Sequence, residues 1–325
     1  MRLPQPLLES QFFIFGDLPE LIRALGKDVD TQELQDIQRL AELGLPPITS
    51  RLVLAAMLGV NPGLIWSFEN RTPRHYRSFS IPKGNSTRRI DAPKVALKIA
   101  QKWLAVQLQQ KFSSDDHVYG FVNNRSHIDA AARHTGAQWI FSLDIKDFFQ
   151  TTPKYMVVDG FKSLGYGQKA SDLLAGLTCL RGALAQGAPS SPVLSNICFR
   201  EFDQQLKLTA KAFGAKLTRY ADDIVFSGNA PFPEGLRTEL AALFSGWPWQ
   251  IANQKTKLST APDRLKVHGL LVHGNAVRLT KGYRNRLRAY KHLVDKDAIR
   301  EEDKKKILGH LNYGKLVEKK SRSDI

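Results

Sequence analysis

The chain has 325 residues, 42% of them hydrophobic, enough for the core of one large domain or two to three sub-domains. Its formal net charge of +16, from 47 Lys and Arg against 31 Asp and Glu, points to a polyanionic partner. Two cysteines in no metal-ligand spacing argue against zinc and against disulfide stapling, and no stretch approaches about 18 uninterrupted apolar residues. The first residues also lack a basic stretch, apolar run and small-residue cleavage site, so a cytoplasmic protein with no membrane contact is expected.

Residues 1–70 read as helical, and Met1 to Leu40 holds more acids than bases. Ile48 to Leu58 has helical apolar spacing, with Thr49 or Ser50 as N-cap, and Asn61-Pro62-Gly63 breaks it. Tyr76 to Ile81 alternates as a strand, Lys83 to Arg89 is a turn, and Ile90 begins a short return strand. From Pro93 to Phe112 the pattern is an amphipathic helix with Leu97, Ala100, Leu104 and Leu108 on one face. Gln138 to Leu143 is β-rich and ends at Asp144, and helical patterns follow to Leu180. Lys216 to Ala221 and Ile224 to Ser227 are the arms of a hairpin that carries Asp222-Asp223 at its turn. Lys266 to His273 and Ala276 to Leu279 read as a second hairpin about Gly274-Asn275. From Thr280 onward the chain is helical and basic, with 14 Lys and Arg against 7 Asp and Glu. There Tyr283, Tyr290 and Tyr313 interleave with the bases, as in surfaces that contact a nucleic-acid backbone.

The chemistry concentrates in three carboxylates. A Tyr-x-Asp-Asp string alone also describes an exposed acidic turn. Asp144, at the end of a hydrophobic strand, changes its meaning. If the two strands are sheet neighbours, three carboxylates converge, and like charges that close resist joint ionisation. Two divalent cations about 3.5–4 Å apart resolve that conflict and clamp the attacking and leaving oxygens of a displacement on phosphorus. Oxygen ligands with open positions favour Mg²⁺. On a basic chain, such a site suits phosphoryl transfer on a nucleic acid.

Five blocks in order resemble the reverse transcriptases, and among them the bacterial retron type, from about Leu54 to Tyr313. They are Phe79-Ser-Ile-Pro-Lys83 with Arg88-Arg89-Ile-Asp-Ala-Pro93, then Val118-Tyr-Gly-Phe121, then Leu143-Asp-Ile-Lys-Asp-Phe-Phe149. Ala185-Gln-Gly-Ala-Pro-Ser-Ser-Pro192 with Leu194-Ser-Asn196, and Tyr220-Ala-Asp-Asp223, complete the set. The resemblance implies an α+β right-hand polymerase with fingers, an antiparallel-sheet palm and a helical thumb. It divides the chain into a helical N-terminal region (1–70), fingers and palm (71–264) and a basic, RNA-binding thumb (265–325).

The resemblance also implies roles. Asp144, Asp222 and Asp223 hold two Mg²⁺ ions. Lys83 and Arg89 neutralise the incoming deoxynucleoside triphosphate, a task suited to a point charge and a guanidinium fork. Phe149 lies under the sugar and selects against a 2′-hydroxyl; plain core packing is its other reading. Gln186 contacts nucleotide or template, Tyr220 packs beneath the primer end, and Lys255 lies near the departing pyrophosphate. Val267, His268 and Gly269 choose the RNA, while Lys281, Arg284 and Arg288, on one helical face, grip its phosphates. The template and primer are then a structured non-coding RNA, copied into branched RNA-linked DNA in anti-phage defence with a separate effector protein.

Two blocks depart from the retron pattern. Ala130-Ala-Ala-Arg-His134 keeps only the Ala131 and His134 of an Asn-Ala-x-x-His signature, and Val267-His268-Gly269 replaces Val-Thr-Gly. His134 and His268 are also readable as satisfied structural histidines. Group II intron-like or abortive-infection reverse transcriptases are the alternatives within the class. A non-catalytic RNA-binding module is the alternative outside it.

Overall fold

The computed structural model describes residues 4–84 and 86–323. Five helices open the chain: α1 (Gln5–Glu9), α2 (Leu18–Leu25), α3 (Thr31–Glu42), α4 (Arg51–Leu58) and α5 (Pro62–Asn70). Their starts are set by capping. Asp17, Asp30 and Ser50 accept from the backbone N–H groups of Glu20, Glu33 and Val53, and Asn61 caps α5 with Pro62 in its first turn.

Strands β1 (Tyr76–Lys83) and β2 (Ser86–Pro93) pair antiparallel from Tyr76↔Pro93 to Lys83↔Ser86. The turn is thus shorter than the sequence pattern predicts: Arg88 and Arg89 lie in the ladder opposite Ile81 and Ser80. Asn85 of that turn lies outside the described residues.

Helices α6 (Val95–Lys111) and α7 (His127–Ala132) precede β3 (Trp139–Asp144). Next come α8 (Lys154–Leu164), α9 (Gln168–Thr178), the short pair β4 (Cys179–Leu180) and β5 (Ala183–Leu184), and α10 (Ser191–Ala212). Hairpin strands β6 (Lys216–Tyr220) and β7 (Asp223–Gly228) lead to α11 (Gly235–Ser245), β8 (Lys257–Thr260), β9 (Lys266–Val267) and β10 (Leu270–Leu271). The chain ends with α12 (Lys281–Asp295) and α13 (Glu301–Ser323).

The chain forms two compact units. The first comprises Met1–Asp115, Lys146–Asp203 and Trp247–Gln250. Its core gathers Leu40, Leu54, Trp103, Leu104, Phe161 and Leu174. The predicted apolar face of α6 is buried at Leu97, Ala100, Leu104 and Leu108. Each large apolar side chain so enclosed stabilises the fold by roughly 1.5–3 kcal/mol. The Trp103 indole N–H also meets the Ser10 carbonyl at 2.8 Å, so its burial leaves no donor unpaired.

The second unit comprises Asp116–Ile145, Gln204–Gly246 and Ile251–Ile325. It is built on a four-stranded antiparallel sheet in the order β6-β7-β3-β8. Central β3 is buried at Trp139, Ile140, Phe141 and Leu143, which is why its sequence is a continuous apolar run rather than an alternation. Ile128, Ile140, Val225, Val272, Val277 and Val317 share its core. His134 is fully buried there and bonds at 2.7 Å both to the Ser227 hydroxyl of β7 and to the Thr218 hydroxyl of β6. Burial pushes its imidazole down to about 3. It is a satisfied structural histidine that staples the two arms of the Asp-Asp hairpin.

The second predicted hairpin is corrected. The tight reversal is at His268-Gly269, where β9 and β10 pair as Val267↔Leu270, and Gly274 belongs to a wider loop closed by a bridge between Leu271 and Arg278. His268 and Gly269 both have positive φ, 50° and 81°, the backbone that matches strand twist in a two-residue hairpin. Among the described residues no single helix is long and apolar enough to cross a membrane.

Candidate active site

The sheet brings the three carboxylates of the sequence pattern together within the second unit. Asp144 ends β3 and Asp223 begins β7, and they are direct cross-strand partners. Side chains so placed share one face of the sheet, with Cβ atoms roughly 4.5–5.5 Å apart, and like charges there are unfavourable. Asp222 occupies the intervening turn. Its carbonyl accepts from Ile145 N at 2.9 Å, and the Asp144 carbonyl accepts from Ala252 N at 2.7 Å, so backbone bonds hold both acids on either side of the strand end. The Asp222 carboxyl is raised above its usual range, by burial first and by the charges of Asp144 and Asp223. Lys255 places its ammonium on the Asp144 carboxylate and opposes that rise.

The turn that presents Asp222 is strained and closely supported. Ala221 sits at φ 58°, a region that costs a residue with a Cβ roughly 1–3 kcal/mol. Gly120 explains how this is tolerated: a Cβ there would stand 2.2 Å from the Ala221 nitrogen, so only glycine lets the two backbones approach. The adjoining Tyr119 N–H donates to the Arg219 carbonyl at 2.8 Å. Arg219, fully buried, donates from Nη1 to the Ala221 carbonyl at 3.1 Å. The short block at Val118 to Phe121 therefore forms the bed of the Asp222 turn. That role is invisible without the pairing of distant segments.

Tyr220, at the end of β6, packs between two imidazoles, with ring centroids 5.3 Å from His268 and 6.1 Å from His127. His127 in turn stacks on Tyr313 of α13 at 5.6 Å and shares a 2.9 Å hydrogen bond with its hydroxyl. The His268 Nδ1 lies 3.0 Å from the Asp223 carboxylate. Val267 is buried beside it, while Gly269 is exposed. Lys281, Arg284 and Arg288 are exposed along α12, whose start Thr280 caps at 3.3 Å from Tyr283 N.

The remaining predicted residues belong to the first unit. Lys83 is exposed at the hairpin end, with no ion pair among the described residues. Arg89 donates to the Asp91 carboxylate and the Ser78 hydroxyl at 3.3 and 3.2 Å. Asp91 is largely buried and also faces Arg181, at 3.8 Å. Its backbone N–H donates to the Gln186 carbonyl at 2.8 Å, and a Cβ on Gly187 would stand 2.7 Å from Ile90. Asp91 thus meets Arg89 and Arg181 with its carboxylate and the Gln186 carbonyl with its backbone N–H. The Gln186 side chain accepts from Gln150 at 3.2 Å. Phe149 is half-buried, packed against the core and 5.5 Å from the Phe148 ring. The Asp91 contacts with Arg89 and Arg181 were not foreseen in the sequence, where the only signal was an Arg-Gly turn and an acid beside Arg88-Arg89.

Among the described residues no three Asp, Glu, His or Cys side chains are arranged to hold a metal ion by themselves. The donor set nevertheless fits a magnesium-like ion. Such an ion keeps waters, takes one or two carboxylates and completes its shell with substrate phosphates rather than with a protein cage. Burial first, and then the neighbouring charges of Asp144 and Asp223, raise the Asp222 carboxyl, and a cation beside it would favour its charged form.

The family described as reverse transcriptase (RNA-dependent DNA polymerase) matches residues 81–310. The retron Mx65 reverse transcriptase of Myxococcus xanthus is 31% identical over 308 residues, covering 87% of this chain and 72% of that protein. The retron Ec86 reverse transcriptase of Escherichia coli is 29% identical over 265 residues, covering 79% and 81%. A solved telomerase from Candida albicans aligns with a TM-score of 0.46 and 10% identity over 69% of this chain and 51% of that one, a likeness too slight to carry an argument.

Proposed function

The chain belongs to the reverse transcriptases of the bacterial retron type, and we propose that this RNA-directed DNA polymerase copies a structured non-coding RNA into branched, RNA-linked single-stranded DNA. The observation that carries the reading is the direct pairing of Asp144 with Asp223 around the Asp222 turn. As a reverse transcriptase it uses a divalent metal and deoxynucleoside triphosphates. Asp144, Asp222 and Asp223 would hold two Mg²⁺ ions, which when bound polarise the phosphoryl oxygens and lower the pKa of the attacking hydroxyl.

The protein's own residues supply the positioning. The Asp222 turn is locked by Gly120 and Arg219, so the carboxylates are aimed before substrate arrives. Lys255, held on Asp144, keeps positive charge beside the reacting phosphates. In the first unit, Lys83 and Arg89 would neutralise the triphosphate, with Asp91 fixing the Arg89 fork. Phe149 would bar a 2′-hydroxyl, and Gln186 would contact nucleotide or template. Tyr220 would pack beneath the primer end.

The exposed Lys281, Arg284 and Arg288 would grip RNA phosphates, and the Val267–Gly269 turn would meet the RNA through its exposed glycine backbone. In the three-part division, 1–70 is an N-terminal helical region, 71–264 fingers and palm, and 265–325 the thumb. We place the enzyme in the cytoplasm, with its RNA and a separate effector protein in anti-phage defence.

The test begins with purified protein on primed poly(rA) with dTTP and Mg²⁺. Wild type should extend the primer. Asp222→Asn with Asp223→Asn should abolish extension, a loss of several kcal/mol of transition-state stabilisation, while RNA binding is retained. Extension by the double variant would show that the site is elsewhere. Nucleic acid copurified from the native host should carry a 2′–5′ branch that a debranching enzyme removes. Linear cDNA alone would refute the retron product, and unchanged phage plaque counts on deletion would refute the defensive role.

A further inference from the structure

His268 stands where the retron pattern has threonine, and the sequence reading assigns it to RNA choice. Its surroundings suit another task. The side chain is only 8% exposed, and its Nδ1 is 3.0 Å from Asp223 Oδ2. The other ring nitrogen, Nε2, is buried with no hydrogen-bond partner among the described residues. The residue also adopts φ 50°, which a side chain with a Cβ rarely does. An unmade buried hydrogen bond and a left-handed backbone are both unfavourable, and they coincide on one residue. The left-handed backbone belongs to the two-residue reversal, and the same ring reaches the Asp223 carboxylate. Tyr220 packs on the same imidazole at 5.3 Å, and Tyr220 is itself the hairpin partner of Asp223. The ring is therefore packed on one side by the β6 end, and its edge nitrogen lies 3.0 Å from the carboxylate of the first residue of β7.

A carboxylate only accepts, so the contact becomes a hydrogen bond when Nδ1 carries the proton and donates it. Carboxylates and imidazoles that bind metals are commonly oriented by such outer hydrogen bonds, and losing one costs about 10- to 100-fold in affinity or activity.

We propose that His268 is a positioning residue for the polymerase reaction: it donates from Nδ1 to Asp223 and fixes the carboxylate that begins β7, rather than reading the RNA. This rests on the reverse-transcriptase reading of Asp223. It also gives the β9–β10 turn a direct hold on the active site, because His268 is the first residue of that turn.

Substitution at one atom position separates this role from packing. Asparagine places an amide N–H where Nδ1 was and tolerates positive φ, whereas the glutamine amide reaches toward the Nε2 position. With primed poly(rA) and dTTP, which remove RNA choice from the measurement, His268→Ala should lower kcat by about tenfold or more. KM for dTTP should stay within about threefold, since only positioning is lost. His268→Asn should recover most of the loss, and His268→Gln should resemble alanine. A second readout needs no turnover: Mn²⁺ binding to the free protein, followed by electron paramagnetic resonance, should weaken by about tenfold in His268→Ala and return in His268→Asn.

Wild-type kcat and Mn²⁺ affinity in His268→Ala, or rescue by Gln equal to that by Asn, would overturn the proposal. So would a His268→Ala variant whose only defect is binding of its own RNA. If wild type itself fails to extend the primer, the reverse-transcriptase reading fails instead, and the Mn²⁺ series still decides whether His268 orients Asp223.

Discussion

His134 offers a quantitative test of how the Asp222-Asp223 hairpin is held. Its imidazole is fully buried between the Thr218 and Ser227 hydroxyls, and burial pushes its pKa down to about 3 from an ordinary value of 6.5. The folded state therefore requires a neutral ring, while the unfolded chain takes up a proton below about pH 6.5. Its stabilising contribution is complete above the unfolded pKa and is lost progressively as pH falls from 6.5 toward 3. Each pH unit inside that window removes about 1.4 kcal/mol, so the move from about pH 7.5 to about pH 5.5 should lower stability by about 1.4 kcal/mol through this one residue. The measurement is urea unfolding at both pH values, in wild type and in His134→Gln. The variant lacks the titration, and every other titrating group cancels between the two proteins. Wild type should lose about 1.4 kcal/mol more than the variant. Parallel losses would refute the burial argument. Histidine ¹⁵N resonances give a second route should the variant fold poorly: the His134 ring should stay neutral at about pH 5.

Gly120→Ala should force the catalytic turn to move, because its Cβ would meet the Ala221 nitrogen at 2.2 Å. Primer extension should fall by about 100-fold with RNA binding kept, a misplacement effect of the size expected for about 1 Å, and activity near wild type would refute it. Phe149→Ala should raise ribonucleotide incorporation relative to deoxynucleotide. Unchanged selectivity with a lowered melting temperature would assign the ring to the core that it already touches. Replacing Arg284 and Arg288 by Gln should weaken binding to cognate and unrelated RNA alike. It should also reduce the slope of log K against log salt by about one to two, and an unchanged slope would remove α12 from the RNA-binding surface.

Local patterns in the chain carry the expected carboxylate site and much of the local structure. Asp144 at the end of an apolar run and Asp222-Asp223 between β-formers are local patterns, and capping residues such as Ser50 mark helix starts within a few positions. The predicted face of α6 followed from apolar spacing alone. Tertiary structure decided what distant segments do to one another. The register that sets Asp144 opposite Asp223 requires β3 and β7 to pair across nearly eighty residues of chain, which no local period encodes. Gly120 reads as an ordinary loop glycine until Ala221 arrives against it. Asp91 looks like one acid among basic residues until Arg89, Arg181 and Ser78 converge on it. The resemblance gives His268 a place in the segment that chooses the RNA, with a structural histidine as its other reading; the contact of its ring with Asp223 appears only once β9, β10 and β7 are brought together. Periodicity and residue chemistry are properties of a stretch of chain, whereas register, close approach and side-chain direction are properties of the surfaces that meet it.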